Sequence, residues 1–291
     1  MSLRGKFNLV LLGVFLVGFV VSALASYAML QHQARESVLQ KAGVMMGAAS
    51  AIRGYTVAQI RPHLEYRMAE TFLPQTVPAY AATETFNNLR QTYPEYTYKE
   101  ATLNPTNPRD RATDWEADII EEFANHADQS ELVGTRNLPT GESSLFLARP
   151  IRVTDPACLD CHSTPERAPA AMLALYGDNN GFNWQLDEVV GAQIVSIPMA
   201  LAQRDARQAF FTFMGLLLVV FVAVFIAVNL LLSRIVIHPI QRMSALADQM
   251  SSGEMDLPEL DARSNDEIGT LARSFNRMKR SLEQAINILE E

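Results

Sequence analysis

Two cysteines and a histidine carry the clearest chemistry in this chain. Cys158 and Cys161 are its only cysteines, and His162 follows the second at once. Thiols three residues apart, with an imidazole beside the second, have the spacing that attaches a c-type haem. The thiols reach the two vinyl groups of the porphyrin and form thioethers. The histidine then lies under the iron as the proximal ligand. Three other chemistries use such a pair. Outside the cytoplasm the two thiols can close a disulfide. A thioredoxin-like redox pair has the same spacing at the start of a helix, and the turn before Cys158 offers such a place. A structural zinc needs four ligands, and there is no second cysteine pair. The adjacent histidine and the absence of further cysteines favour one covalently attached haem c.

The sixth iron position has several claimants. No third cysteine exists to supply a thiolate. Met45, Met46, His63, Met68 and His126 are candidates, with Met68 and His63 preferred because their shared helix precedes the turn expected beside the haem. A methionine raises the potential and a histidine lowers it relative to methionine. An open sixth position able to take a gas is the other possibility. Each candidate also has an ordinary reading, the methionines as core filler and the histidines as partly exposed polar residues.

The chain that must position these residues has 291 residues, 48% hydrophobic, with a formal net charge of -8. That charge argues against a nucleic-acid binder, which shows a basic stripe. Residues 7–30 and 209–232 are free of charge, and each run is long enough to cross a bilayer. The first could be a cleaved signal peptide, since Arg4 and Lys6 precede it and Ala23-Leu24-Ala25 resembles a cleavage site. It runs on past that site, which favours a retained anchor. Arg4 and Lys6 precede the first span, and Arg234 and Arg242 follow the second. The positive-inside rule therefore puts both termini in the cytoplasm and the segment between the spans outside it. Haem is attached to such motifs outside the cytoplasmic membrane, so the motif and the charge rule agree independently.

Between the spans the pattern is α+β. Residues 31–70 read as helical, with Pro62 bending or ending a helix. Residues 96–103, 143–153 and 188–199 alternate or run apolar as strands. A helix follows Thr113 or Asp114, either of which can cap it. Asn104 and Asn107 read as side-chain-capped turns, and Trp115 and Trp184 as core or haem-wall residues. The expected fold is a long helix leading into a small antiparallel sheet.

After residue 232 the period changes. Ile240, Met243, Ala247 and Met250 step by 3, 4 and 3. Ile268, Leu271, Phe275, Met278, Leu282, Ala285 and Leu289 form an unbroken heptad seam. Two short heptad helices per chain cannot bury both seams alone, and a parallel homodimer completes a four-helix bundle. Pro239 after the span, Gly253, Leu257 and Leu260 in the connector, and Glu267 in Asp-Glu-Ile-Gly resemble a HAMP domain. That resemblance implies a relay between a membrane span and an output module. The alternative is a plain juxtamembrane coiled coil.

A second resemblance covers most of residues 40–200. The stretches Val-Pro-Ala-Tyr-Ala-Ala-Thr-Glu-Thr-Phe, Ala-Arg-Pro-Ile-Arg-Val-Thr-Asp-Pro-Ala-Cys-Leu-Asp-Cys-His and Gly-Phe-Asn-Trp-Gln-Leu-Asp-Glu-Val-Val resemble a family of PAS-like c-type haem sensor domains. Those domains often form the outer part of receptors and kinases. The resemblance implies a PAS-like sheet and propionate partners among Arg53, Arg109, Arg111 and Arg149, with Arg109 and Arg149 as first choices. The organisation expected is a cytoplasmic N-terminus (1–6), a span (7–30), a periplasmic haem-binding sensor (31–208), a second span (209–232) and a cytoplasmic HAMP domain (233–291), in a bacterial inner membrane. No nucleophile motif, metal-protease helix or phosphate loop suggests an enzyme. Two functions follow: a receptor relaying a redox or gas signal to a separate cytoplasmic partner, or a membrane-anchored cytochrome passing electrons to a redox partner.

Overall fold

A computed structural model of the chain describes residues 2–68, 70–139, 141–254 and 256–290, with Leu3 and residues 286–290 described by backbone alone. The Leu289 position of the heptad seam thus lies outside the described side chains. The chain divides into two compact units, Ala28–Ala209 and the pair of segments Met1–Tyr27 and Phe210–Glu291.

The first unit is built on a four-stranded antiparallel sheet. Its strands are β1 (Thr97–Thr102), β2 (Leu132–Asn137), β3 (Ser143–Arg152) and β4 (Val189–Pro198), in the order β1-β4-β3-β2. The three strands expected from sequence are present. β4 lies centrally and is buried along nearly its whole length, which is why it reads as a continuous apolar run rather than an alternating one. The period of two sorts its residues between two cores. Val195 and Ile197 join Leu145, Leu147 and Tyr98 against the long helix α1 (Leu3–Tyr55) and helix α3 (Pro78–Leu89). Ala192 and Ile194 join Ala101 and Ala148 under helix α4 (Asp114–Asn125), which supplies Ile119, Ile120 and Phe123. Met45 and Met46 of α1 are core residues on the first face, 8% and 0% exposed.

Thr113 caps α4 through a reciprocal capping box with Glu116. β2 has no counterpart in the sequence reading, because Leu-Val-Gly-Thr-Arg-Asn is short and broken by glycine. Gly134 pairs there with Phe146, whose ring tip would stand 2.4 Å from an added Cβ and would have to turn aside.

Pro62 does not end its helix. After α1 the backbone widens into a π-helical segment, Thr56–Ile60, and continues as α2 (Arg61–Met68) with Pro62 in its first turn. The same device recurs at Leu232–Ile237, ahead of Pro239. A proline cannot donate to the carbonyl four residues back, and its ring crowds that carbonyl, so a wider turn relieves both problems.

The second unit holds two stretches long and apolar enough to cross a membrane, within helices Arg4–Met68 and Met199–Ser251, the latter opening as α7 (Met199–Leu231). Phe15 and Phe221 stack between them at 4.9 Å. Beyond the π segment, α8 (His238–Ser251) and α9 (Glu267–Glu290) pack around Met243, Leu246, Leu260 and Ala272. The buried face of α8 runs through Met243, Leu246 and Met250. That corrects the sequence register: Leu246, not Ala247, is the inward residue, and Ile240 is 39% exposed. Leu-Ala neighbours both satisfy a 3–4 spacing from Met243, and the connector, which sequence spacing ignores, selects the larger side chain. Asn276 clasps that connector by its backbone, accepting from Leu260 N at 3.0 Å and donating to Leu260 O at 2.9 Å. Lys279 donates to Leu257 O, and Arg273 donates to Ala262 O and Ser264 O.

Candidate functional site

Asp155 starts the turn that presents the cysteines. Its side chain accepts from Ala157 N at 2.9 Å and caps a 3₁₀ turn, Pro156–Cys158. The short helix α5 (Leu159–His162) follows directly. Cys158, Cys161 and His162 therefore sit on one compact coil. Both cysteines are free thiols and half-buried. Burial pushes both thiols up, Asp155 adding to the rise at Cys158 while Arg61 and Arg53 oppose it. Arg61 also opposes the rise at Cys161.

His162 is held in one orientation. Its Nδ1 lies 2.8 Å from the Gly181 carbonyl, which can only accept, so Nδ1 carries the proton and Nε2 is left as a free electron-pair donor. Its ring stacks on Trp184 at 3.9 Å and 12°. The backbones pair as well: Asn183 N donates to Ser163 O and Trp184 N to His162 O. Burial pulls the imidazole below its ordinary range and so favours the neutral, ligating form, while the Gly181 hydrogen bond opposes that shift. Beside the coil, Cys161 packs with Phe72, Leu173 and Tyr176 against Ala168, Met172 and Phe182. Helix α6 (Ala170–Tyr176) supplies three of those neighbours, Met172, Leu173 and Tyr176, and the sequence reading did not find it because it is only seven residues long.

These residues fit a covalently held haem. Two accessible thiols, an imidazole with Nε2 free, an apolar flank and the buried Ser163 hydroxyl with no partner among the described residues are what such a group would need. Among the described residues no three His, Cys, Asp or Glu side chains converge into a metal cage, so the zinc alternative gains no support.

The other expected residues are dispersed. Met45 and Met46 are core. His126 caps the C-terminus of α4 beside Glu122 and is exposed. His63 is exposed on α2, while the half-buried Met68 accepts a hydrogen bond at Sδ from the buried Thr76 hydroxyl at 3.2 Å. Arg149 pairs with Glu131 at 2.9 Å. Arg109 pairs with Glu84 and lies over the Tyr80 ring. Arg53 pairs with Glu100, which is 2% exposed and also accepts from Tyr98 at 2.7 Å. Trp115 belongs to the far side of the sheet, under the Arg136 guanidinium at 3.9 Å. Arg61, Gly181 and Thr106 were not singled out by sequence. Only the positive-φ requirement at Gly181 leaves a trace there, as a glycine in a polar turn.

The Tll0287-like family pattern matches residues 31–198, more than half of the chain. The chain belongs to the Tll0287-like family. The Tll0287-like domain is followed by a HAMP domain at residues 231–284. A candidate sensory transducer protein of Acetivibrio thermocellus is 35% identical over 77 residues, 26% of this chain and 14% of that protein, so the chain matches about a seventh of that relative's length. The crystal structure of the cyanobacterial haem protein Tll0287 is similar at 18% identity and a TM-score of 0.44, over 55% of this chain and 94% of that one.

Proposed function

We propose that this protein is a membrane-bound sensor whose Tll0287-like domain carries one haem c on Cys158 and Cys161, with His162 as proximal ligand. The observation that carries this reading is the His162 imidazole, fixed with Nε2 free beside two half-buried thiols, in the same chain as a HAMP domain. When bound, the haem supplies an iron that changes charge on reduction and offers a sixth position to a ligand. His162 orients it through Gly181 and Trp184. Met68 or His63 is the sixth ligand proposed. Arg109 and Arg149 are the proposed propionate partners, each exchanging its carboxylate, Glu84 or Glu131, for a propionate.

The sensor segment, residues 31–208, lies in the periplasm between spans at 7–30 and 209–232. Residues 1–6 and the HAMP segment 233–291 lie in the cytoplasm. Arg4 and Lys6 before the first span and Arg234 and Arg242 after the second support this placement. The protein works as a parallel homodimer, because Leu271, Met278 and Leu282 of the heptad seam are 49%, 46% and 40% exposed in a single chain. It acts without catalysis, by shifting the HAMP bundle between two packings read by a separate cytoplasmic partner.

The second reading is a membrane-anchored cytochrome that passes electrons, with the coiled coil serving only to dimerise. Hydrogen–deuterium exchange of residues 238–290 in the full chain separates the two. A sensor changes protection there between oxidised and reduced states. Identical exchange in both states, and with carbon monoxide or nitric oxide added, would leave only the carrier.

A further inference from the structure

The loop of residues 103–111, Leu-Asn-Pro-Thr-Asn-Pro-Arg-Asp-Arg, is tied down at both ends. Asn107 Oδ1 accepts from Arg109 N at 3.2 Å. Arg111 forms a bridge with Thr102, and Ala112 N donates to Thr102 O at 2.9 Å. Lys99 Nζ donates to Arg111 O at 2.7 Å. The loop is thereby stapled to β1, and its middle is pressed against the segment that holds His162.

That contact is tight. Gly181 has φ +84, and a Cβ added to it would stand 2.0 Å from Thr106 Oγ1 and 2.9 Å from Thr106 Cα. No side chain fits, and the left-handed backbone favours glycine besides. Thr106 Oγ1 is itself 3.5 Å from His162 Nδ1, the atom that donates to Gly181 O. One threonine thus touches both partners of the hydrogen bond that orients the imidazole. The adjoining residue is also held from the loop: Arg111 Nη2 donates to Asn180 Oδ1 at 3.3 Å.

We propose that Thr106 is a positioning residue for His162, wedging the Gly181 carbonyl against Nδ1 and offering its hydroxyl oxygen as a second acceptor for the same proton. This rests on His162 serving as an iron ligand. A proximal imidazole whose Nδ1 proton is better accepted donates more electron density through Nε2 and favours the ferric state. The loop therefore sets the potential of the haem from outside the attachment motif. It also gives the sheet a path to the iron, since the same loop is stapled to β1.

The test uses the full chain with its haem, as wild type, Thr106→Val and Thr106→Ser. Valine keeps the shape and removes the oxygen; serine keeps the oxygen. The readouts are the midpoint potential and the iron–imidazole stretch of the ferrous protein, taken by resonance Raman just after photolysis of its carbon monoxide complex, when the sixth position is vacant. Thr106→Val should raise the ferrous-to-ferric ratio at a fixed potential by roughly threefold, the scale of one weak neutral hydrogen bond, and lower the stretching frequency. Thr106→Ser should restore both. Asn180→Ala loosens the neighbouring contact and should move both readouts the same way by less. It serves if Thr106→Val fails to accumulate. Wild-type potential and stretch in whichever of these variants folds would overturn the assignment of Thr106. A wild-type chain with no haem would instead sink the haem reading. The His162 ¹⁵N shifts of that same preparation would then decide the Thr106 contact, which fails if Thr106→Val leaves them unchanged.

Discussion

The two units of this chain satisfy their apolar residues differently. In the Tll0287-like unit the core closes within one chain: Phe123, Leu145, Ala148 and Val195 are 0% exposed, and both faces of β4 are covered. In the HAMP unit the inner face of α8 and Ala272 of α9 are buried, yet Leu271, Met278 and Leu282 stay open to solvent. The first unit can hold a rigid site on its own. The second uses backbone clasps by Asn276, Arg273 and Lys279 to fix its connector, and leaves an apolar seam open. The contrast suits the proposed division of labour, in which a sensor would need a fixed geometry around its cofactor and a relay an interface that can repack.

The largest break in that contrast should come from the self-contained core. Phe123→Ala leaves a cavity under the sheet and should cost about 3–5 kcal/mol, read as a lower thermal midpoint of the sensor unit. HAMP-directed cross-linking at temperatures below that midpoint should be unchanged. In the HAMP unit, Leu271→Asp with Met278→Asp places charge in the seam. Dimer association should weaken by about 100-fold or more, seen by analytical ultracentrifugation in detergent, with the sensor midpoint unmoved. Unchanged association would mean that the seam is not the interface.

A smaller test is electrostatic. Asp110 has a side chain 20% exposed, and Arg109, its near cation at 3.5 Å, is engaged by Glu84. Burial pushes its carboxyl up to about 6 against the pull of Arg109. The folded value exceeds the unfolded one, so the fold prefers the neutral acid. Its contribution to stability grows as pH falls from above 6 towards 4 and is absent at higher pH. Asp110→Asn should raise stability at pH 7.5 by about 1 kcal/mol, after allowance for solvent screening, and flatten the profile between pH 4 and 6. A steeper profile in the variant would contradict the sign. Smallest is the cap: Thr113→Ala should cost about 1 kcal/mol in the sensor unit, measured by urea denaturation, and nothing in the HAMP unit.

What could be read from sequence follows how local each signal is. The capped helix after Thr113 and the strands around residues 97, 145 and 193 rest on neighbours in the chain, and they emerged. β2 and α6 did not, being short and weakly patterned. The inward face of α8 was read one residue off because the connector, not the helix, decides between Leu246 and Ala247. The surroundings of His162 were least legible. Thr106 and Gly181 lie 56 and 19 residues away in sequence and meet the imidazole only through the fold, as does Trp184, which its residue type alone marks as a core or haem-wall residue. The arginine choices illustrate the same limit: Arg109 and Arg149 stand in suggestive segments, but which carboxylate each meets depends on α3 and on Glu131, well before β3.

The most direct test of the account is whether the wild-type chain carries haem that survives denaturation. The full protein and Cys158→Ala/Cys161→Ala should be compared by haem staining on denaturing gels and by intact mass. The account predicts one haem per chain in the wild type and none in the double variant. A wild-type chain without covalent haem, or a stained band that persists in the double variant, would contradict it.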